Sequence, residues 1–322
     1  MAIFANHLNN LISIMINRIL IRIRVIQIVY AYYQNRNKDV RQVEKELLLG
    51  LQKSYDLYFY ILLLMIEITD LYEKRVETKK NKFLPTHEDL NPKMHLINNQ
   101  FIYQLRNNKT LIKNLNERPL SWENNDSFVR GVLDSIIESD IYKEYTQIEK
   151  PTYNDDKDFW RKSFKAFIYR NEELDDILED ESIFWNDDID IVQSFVHKTI
   201  RQFNKSEGEE QKLLPMFNDD EDKEYAIKLL RETIFNELKY REQITSHAKN
   251  WDFERIAFMD VIIMQVAMAE LYGFPSIPIN VTLNEYIDIA KSYSTPKSST
   301  FINGILDAVV TELKNDKTIL KN

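Results

Sequence analysis

Cysteine is absent from the 322 residues of this chain, and glycine and proline are scarce, at 5 and 8 residues. Without thiols there is no disulfide framework and no thiolate metal site, a composition that fits a reducing compartment. The five glycines, Gly50, Gly131, Gly208, Gly273 and Gly304, are never neighbours. Phosphate-cradling loops need clustered glycine, so neither a dinucleotide-binding fingerprint nor a P-loop can be written, which excludes most nucleotide enzymes. The same scarcity argues against a turn-rich all-β fold. No basic segment, apolar core and small-residue cleavage site open the chain, so no secretory signal is expected. The strongest apolar run, Leu57 to Ile66, is too short to cross a bilayer. These absences point to a soluble, cytoplasmic protein with no membrane partner.

Catalytic signals are equally thin. The five histidines, His7, His87, His95, His197 and His247, are scattered, and His87 and His95 with Glu88 and Asp89 do not match a zinc spacing. No nucleophile and base can be paired from the sequence. The expectation is a protein without cofactor or metal that binds and does not catalyse.

What is present is helical. With 44% hydrophobic residues the chain can bury a sizeable core, and its length suits two domains or one with a large insertion. Pro and Asn/Asp clusters separate segments that read as helices near 14–36, 40–80, 93–113, 126–145, 156–178 and 189–203, with more from about Lys223. Ile21-Arg-Ile-Arg-Val25 alternates like a strand. No second strand exists to pair with it, so a helix is expected there and the fold class is all-α. The segment Ser127-Phe-Val-Arg-Gly-Val-Leu-Asp-Ser135 echoes Thr300-Phe-Ile-Asn-Gly-Ile-Leu-Asp-Ala308, which partial duplication or chance amphipathicity would both explain.

Charge is polarised. The formal net charge is -9, which opposes non-specific binding to nucleic acid. Yet no acid precedes Asp39, whereas Arg18, Arg22, Arg24 and Arg36 do, and residues 171–190 carry ten acids without one Lys or Arg. Such a chain can hold RNA on one surface while its bulk repels other polyanions. The acid run reads as a solvated face or one turned to a basic partner. At 100° per residue Arg18, Arg22 and Arg36 share a narrow arc of the first helix, beside an apolar stripe of Ile19, Ile23, Ile26 and Tyr30, with Arg24 opposite. Guanidinium groups in such a row can fork onto phosphates and stack on bases, though a solvated helix face would look similar.

Three further elements stand near the C-terminus. Trp251-Asp-Phe-Glu-Arg-Ile-Ala-Phe-Met-Asp260 opens an apolar helix, with Glu254 and Asp260 as acids that a helix N-terminus favours. Ile277-Pro-Ile-Asn-Val-Thr-Leu-Asn-Glu-Tyr286 contains Thr282 and Glu285 at capping-box spacing. Ser294-Thr-Pro-Lys-Ser-Ser-Thr-Phe301 reads as an N-cap at Thr295 and a first-turn Pro296, leading into Phe301-Ile-Asn-Gly-Ile-Leu-Asp307. Lys291 and Lys297 flank that helix start, where free amides favour phosphate, and no acid lies between Asp288 and Asp307. Phe301 is either core or a stacking platform. Gly304 sits mid-helix, which suggests a close helix approach.

The Pro-X-X-Val-X-X-Asn-Glu element, the Phe-Ile-Asn-Gly-Ile-Leu-Asp element and the segment Arg18 to Gln34 together resemble the transcription antitermination factor family NusB. The resemblance implies a NusB-type helical bundle made of residues 1–38 and 220–322, with 39–219 as a helical insertion of unknown role. It implies an RNA-binding antitermination factor of rRNA operons that takes boxA-like single-stranded RNA together with NusE, a small-subunit ribosomal protein, into the transcription elongation complex. On this resemblance Arg18, Arg22 and Arg36 with Lys291, Lys297 and Phe301 would meet RNA, and Glu254 and Asp260 would face NusE. Family members commonly carry an acid where this chain has Lys297, so the sign is reversed here. The alternatives are a stand-alone factor for rRNA binding or ribosome assembly, and an acidic scaffold that touches no RNA.

Overall fold

A computed structural model of the chain describes residues 15–35, 39–217, 219–248, 256–295 and 297–315. Among these residues there is no strand. The helices run α1 (Arg18–Gln34), α2 (Val40–Lys80), α3 (His87–Leu90), α4 (Gln100–Arg106), α5 (Lys109–Glu117), α6 (Asp126–Glu138), α7 (Asp140–Tyr145) and α8 (Tyr153–Ser163). They continue with α9 (Glu172–Glu181), α10 (Ile189–Gln202), α11 (Asp220–Phe235), α12 (Glu237–His247), α13 (Phe258–Gly273), α14 (Ile279–Tyr293) and α15 (Ser298–Asn315). The fold is all-α, as the sparse glycine and proline require. It divides into two compact units: residues 16–51 with 217–322, and residues 52–216 together with Met15.

In the first unit α13 is the central helix. Its residues Val261 to Leu271 are buried on every face, as a helix apolar all round must be. Helices α1, α11, α12, α14 and α15 pack around it. The opening segment is helical, with Asn17 capping the Leu20 amide at 3.0 Å. Its alternating β-branched residues are buried almost without interruption from Leu20 to Ile26, so burial settles the conformation that propensity left open. The expected amphipathic division of α1 does not occur. Ile19 is half-buried and Tyr30 exposed, while both Arg22 and Arg24 lie in the interior.

Arg22 is 3% exposed because α13 supplies a carboxylate for it. Its Nε and Nη2 donate to the two oxygens of Glu270 at 2.8 and 3.0 Å, and Nη1 donates to Glu285 at 3.2 Å. The Thr282 hydroxyl donates to Glu270 Oε1 at 2.8 Å, and the Tyr225 and Tyr286 hydroxyls donate to Oε2. Burial alone would push the Glu270 carboxyl up, but the bonded Arg22 charge and the Tyr225 and Thr282 hydroxyls hold it below the usual carboxylate range. Thr282 and Glu285 therefore form no capping box. Helix α14 begins four residues earlier than that box requires, behind Pro278, and both side chains turn to the buried pair. Arg24 folds over Gly50 of α2, where a Cβ would stand 2.8 Å from Arg24 Cδ. At Gly304, by contrast, a Cβ would meet nothing within 4 Å, so no close helix approach accounts for that glycine.

The second unit is built on the C-terminal part of α2, whose residues Leu57 to Ile66 are buried. Helix α2 is long and apolar enough by composition to cross a membrane, but most of its apolar window is buried inside the protein. Trp122 stacks on Tyr60 at 4.1 Å and donates its indole N–H to the Tyr60 carbonyl at 3.0 Å, while Trp185 donates to the Lys53 carbonyl at 2.8 Å. Three stretches expected as single helices are divided, each by a capping side chain. Asn108 accepts from the Leu111 amide and starts α5, and Ser139 accepts from the Tyr142 amide and starts α7. The third begins at a Thr152–Asp155 capping box, then closes through a π turn at Phe164–Ile168 and a left-handed Arg170 (φ 56°), before Asn171 caps α9. Short polar side chains offer the backbone an alternative to continuing the helix, which hydrophobic periodicity alone does not reveal. The echo segment 127–135 lies in α6 with Phe128 buried, whereas Phe301 of α15 is half-buried.

Two substitutions test these assignments. Glu270→Gln strands the Arg22 charge in the interior and should lower stability by about 3–5 kcal/mol, read from denaturant midpoints. Because the folded-state pKa of Glu270 is depressed, its contribution is complete above the unfolded carboxylate pKa of about 4.3 and is lost as pH falls through the lower folded value. The acid limb of the stability profile should therefore be flatter in the variant, and an unchanged midpoint would contradict the buried pair. Gly304→Ala should raise stability by up to about 1 kcal/mol, since a helical position in open space gains propensity without a clash. A loss of stability there would show a neighbour the present packing lacks.

Candidate nucleic-acid interface

The residues expected to meet RNA are dispersed in the first unit. Arg18 remains at the surface with its side chain 43% exposed, 3.6 Å from Asp222 and over the Tyr225 ring at 5.0 Å. Asp222 opens α11, and its carboxylate partly neutralises the cation that phosphate would meet. Arg22, on the same face one turn later, is withdrawn into the core by Glu270, which corrects its expected place on an exposed edge. Arg36 lies outside the described residues.

A second group forms at the other end of α13. Lys297 is exposed and immediately precedes α15, and it makes no ion pair among the described residues. Lys291 is exposed on the last turn of α14 and pairs with Asp288 at 2.6 Å. Phe301 is half-buried one turn into α15, its amide donating to the Lys297 carbonyl at 3.3 Å. The start of this helix differs from the expected cap. Pro296 lies outside the described residues, the helix begins at Ser298, and the Thr295 hydroxyl stands 2.8 Å from that of Ser298.

Asp260 explains the anchoring. It was expected to face a basic partner, but it is 4% exposed, and its carboxylate oxygens accept from the hydroxyls of Ser294 and Ser298. It ties the start of α15 to the first turn of α13 and so positions Lys297 and Phe301. This corrects its place from partner-facing surface to interior. Glu254, the other acid assigned to a partner, lies outside the described residues.

Arg18 is tied to Tyr225, which bonds Glu270, whereas Lys297 adjoins Ser298, which bonds Asp260. Ten residues of α13 separate those two acids, about 15 Å at the helical rise. The structure thus unites Lys291, Lys297 and Phe301 at one end and leaves Arg18 at the other. Sequence reasoning missed the aromatic group at the Lys297 end. The Phe258 ring, on the first turn of α13, lies 5.5 Å from Tyr30 and 6.4 Å from Tyr33, and both Phe258 and Tyr30 are partly exposed. Half-exposed rings at the same helix end as a lysine with no ion pair among the described residues suit unstacked bases and phosphates. Among the described residues no His, Asp and Glu group could hold a metal ion.

Comparison with known proteins bears on this arrangement. The sequence profile of the NusB family matches residues 189–311, from the start of α10 into α15. The transcription antitermination protein NusB of Salinibacter ruber is 35% identical over 132 residues, which is 39% of this chain and 82% of that protein. NusB of Methylacidiphilum infernorum is 36% identical over 113 residues, covering 34% of this chain and 79% of the relative. NusB of Chloroherpeton thalassium is 40% identical over 100 residues, 31% of this chain and 47% of the relative. No solved structure matches. Because this chain spans 82% of a NusB protein with 35% identity, it belongs to the NusB family.

Proposed function

We propose that this chain is an RNA-binding transcription antitermination factor of rRNA operons. It binds boxA-like single-stranded RNA together with the ribosomal protein NusE and carries it into the transcription elongation complex. Residues 52–188, which lie outside the family match, are read as an addition to the NusB-type bundle. The family's members are non-enzymatic RNA-binding factors, so the work is binding. The observation that carries the reading is Lys297 at the start of α15, without an ion pair among the described residues, with half-buried Phe301 one turn on and the Tyr30–Phe258 aromatic pair at the same end of α13. A cation there adds to the positive end of the helix dipole and attracts phosphate. Arg18 supplies a weaker contact, tempered by Asp222. Arg22 and Asp260 are reserved for the fold, and docking of NusE falls to surface other than Asp260.

The test is RNA affinity measured against salt, with and without NusE. Lys297→Ala should weaken binding and flatten the salt dependence by about 0.7, the value for one phosphate of a single strand. Lys297→Glu should weaken it further, each step costing about 1 kcal/mol or less at an exposed site. The glutamate should leave stability unchanged or slightly higher, because an acid suits a helix start. Equal affinity for Lys, Ala and Glu at low salt would remove Lys297 from the interface. Binding of NusE without any binding of RNA would favour the scaffold alternative.

A further inference from the structure

The second unit holds a concentration of cations that neither the fold nor the bundle's interface uses. His197 of α10 lies against the π turn that follows α8, its ring stacked on Phe164 at 6.3 Å between centroids. Arg161, Arg201 and Lys165 surround it closely enough that, after burial, their charges are what hold its pKa below the ordinary histidine value. Counter-charge is short. Asp158 alone serves Arg161 at 2.6 Å and Lys162 at 3.2 Å, and neither Lys165 nor Arg201, both exposed, makes an ion pair among the described residues. Like charges gathered this way repel one another and destabilise the unliganded surface.

The same seam leaves polar atoms unsatisfied. Trp160 and Ser163 are fully buried on α8, yet among the described residues the Trp160 indole N–H and the Ser163 hydroxyl have no hydrogen-bond partner, and neither has His197 Nε2. Unpaired buried polar atoms are uncommon, and three on two adjoining elements call for an explanation. The π turn at Phe164–Ile168 interrupts the helix at this point, and such turns recur at functional sites. Five basic groups beside one acid, buried polar atoms without partners and an irregular helix all fit one kind of ligand, an anion with several oxygens.

We infer that the α8–α10 seam of residues 52–216 is a second phosphodiester-binding surface, on which Lys165, Arg201 and Arg161 grip the backbone of single-stranded RNA. The inference rests on the RNA reading above for its choice of polyanion. It gives the second unit a role of its own in holding RNA, through backbone charge and without base recognition.

The experiment compares the full chain with the double variant Lys165→Ala/Arg201→Ala, using a single-stranded RNA oligonucleotide across a salt series. Both residues are exposed, so the variant should retain its circular dichroism. The salt slope should fall by about 1.4, the value for two single-strand phosphates. A control, Lys113→Ala/Lys143→Ala, removes two exposed and paired lysines from the same unit and should change nothing. Unchanged slope and affinity in the Lys165/Arg201 variant would overturn the surface while leaving the Lys297 reading intact. Equal losses in the control would also overturn it, since net charge alone would then be at work. If the wild-type chain binds no RNA, the antitermination reading fails, and inorganic polyphosphate becomes the separate probe. Shifts of the Trp160 indole and His197 ring resonances with polyphosphate, abolished in the double variant, would sustain an anion surface without RNA. Absence of those shifts, or binding to anionic phosphatidylglycerol vesicles in preference to RNA, would refute it.

Discussion

The first unit depends on one buried carboxylate. Glu270 sits in the last turn of the most apolar helix and receives donors from α1, α11 and α14. A charge in such a place is tolerable only when paired and fully hydrogen-bonded. Five donors converge on it, so three helices can meet α13 only in the register that brings Arg22, Tyr225, Thr282 and Tyr286 to the same two oxygens. Replacing the pair by apolar residues of similar volume could match its stability. It would not reproduce this indexing of one helix against another. The Arg22 charge is thus committed to architecture, and RNA affinity must come from elsewhere.

Asp260 plays a smaller version of the same part at the other end of α13. It fastens two serines that begin α15, and the chain emerges with Lys297 exposed and Phe301 half-buried beside it. Function in this end of the bundle follows from anchoring. The acid does not face a partner, but it fixes the position of the groups that can. Since no acid lies between Asp288 and Asp307 in sequence, the start of α15 keeps its positive character undiminished by neighbours on its own segment.

Much of this was legible in the sequence, and the failures have physical causes. Scarce glycine and proline announced an all-α chain, and the extent of α2 followed from its unbroken apolar pattern. Arg22 was misplaced because helical angles arrange residues around an axis without saying which sides are covered. Arg18 and Arg22 share an arc, yet one faces water and the other the core. A signal did exist: Arg22 lies within an apolar run from Ile19 to Val29, and Glu270 is the lone acid between Val261 and Leu271. A lone acid in an apolar helix calls for a buried cation, and the run from Ile19 to Val29 offers two, Arg22 and Arg24. The Thr282 and Glu285 spacing was read as local capping when its purpose is tertiary. Gly304 was read as packing when it faces open space. Local rules gave way wherever a distant side chain offered a better partner.

Net charge is a poor guide to what such a chain binds. The formal value of -9 is set largely by runs such as 171–190, and those acids are screened beyond a Debye length of roughly 8 Å at physiological salt. What a phosphate meets at close range is Lys297, Lys165 or Arg201, none of which pairs with a carboxylate among the described residues. The acids elsewhere then add discrimination, because a polyanion that cannot reach those few cations is repelled by the remainder. An acidic protein with small unpaired basic surfaces should therefore bind nucleic acid weakly in general and well only where the backbone fits.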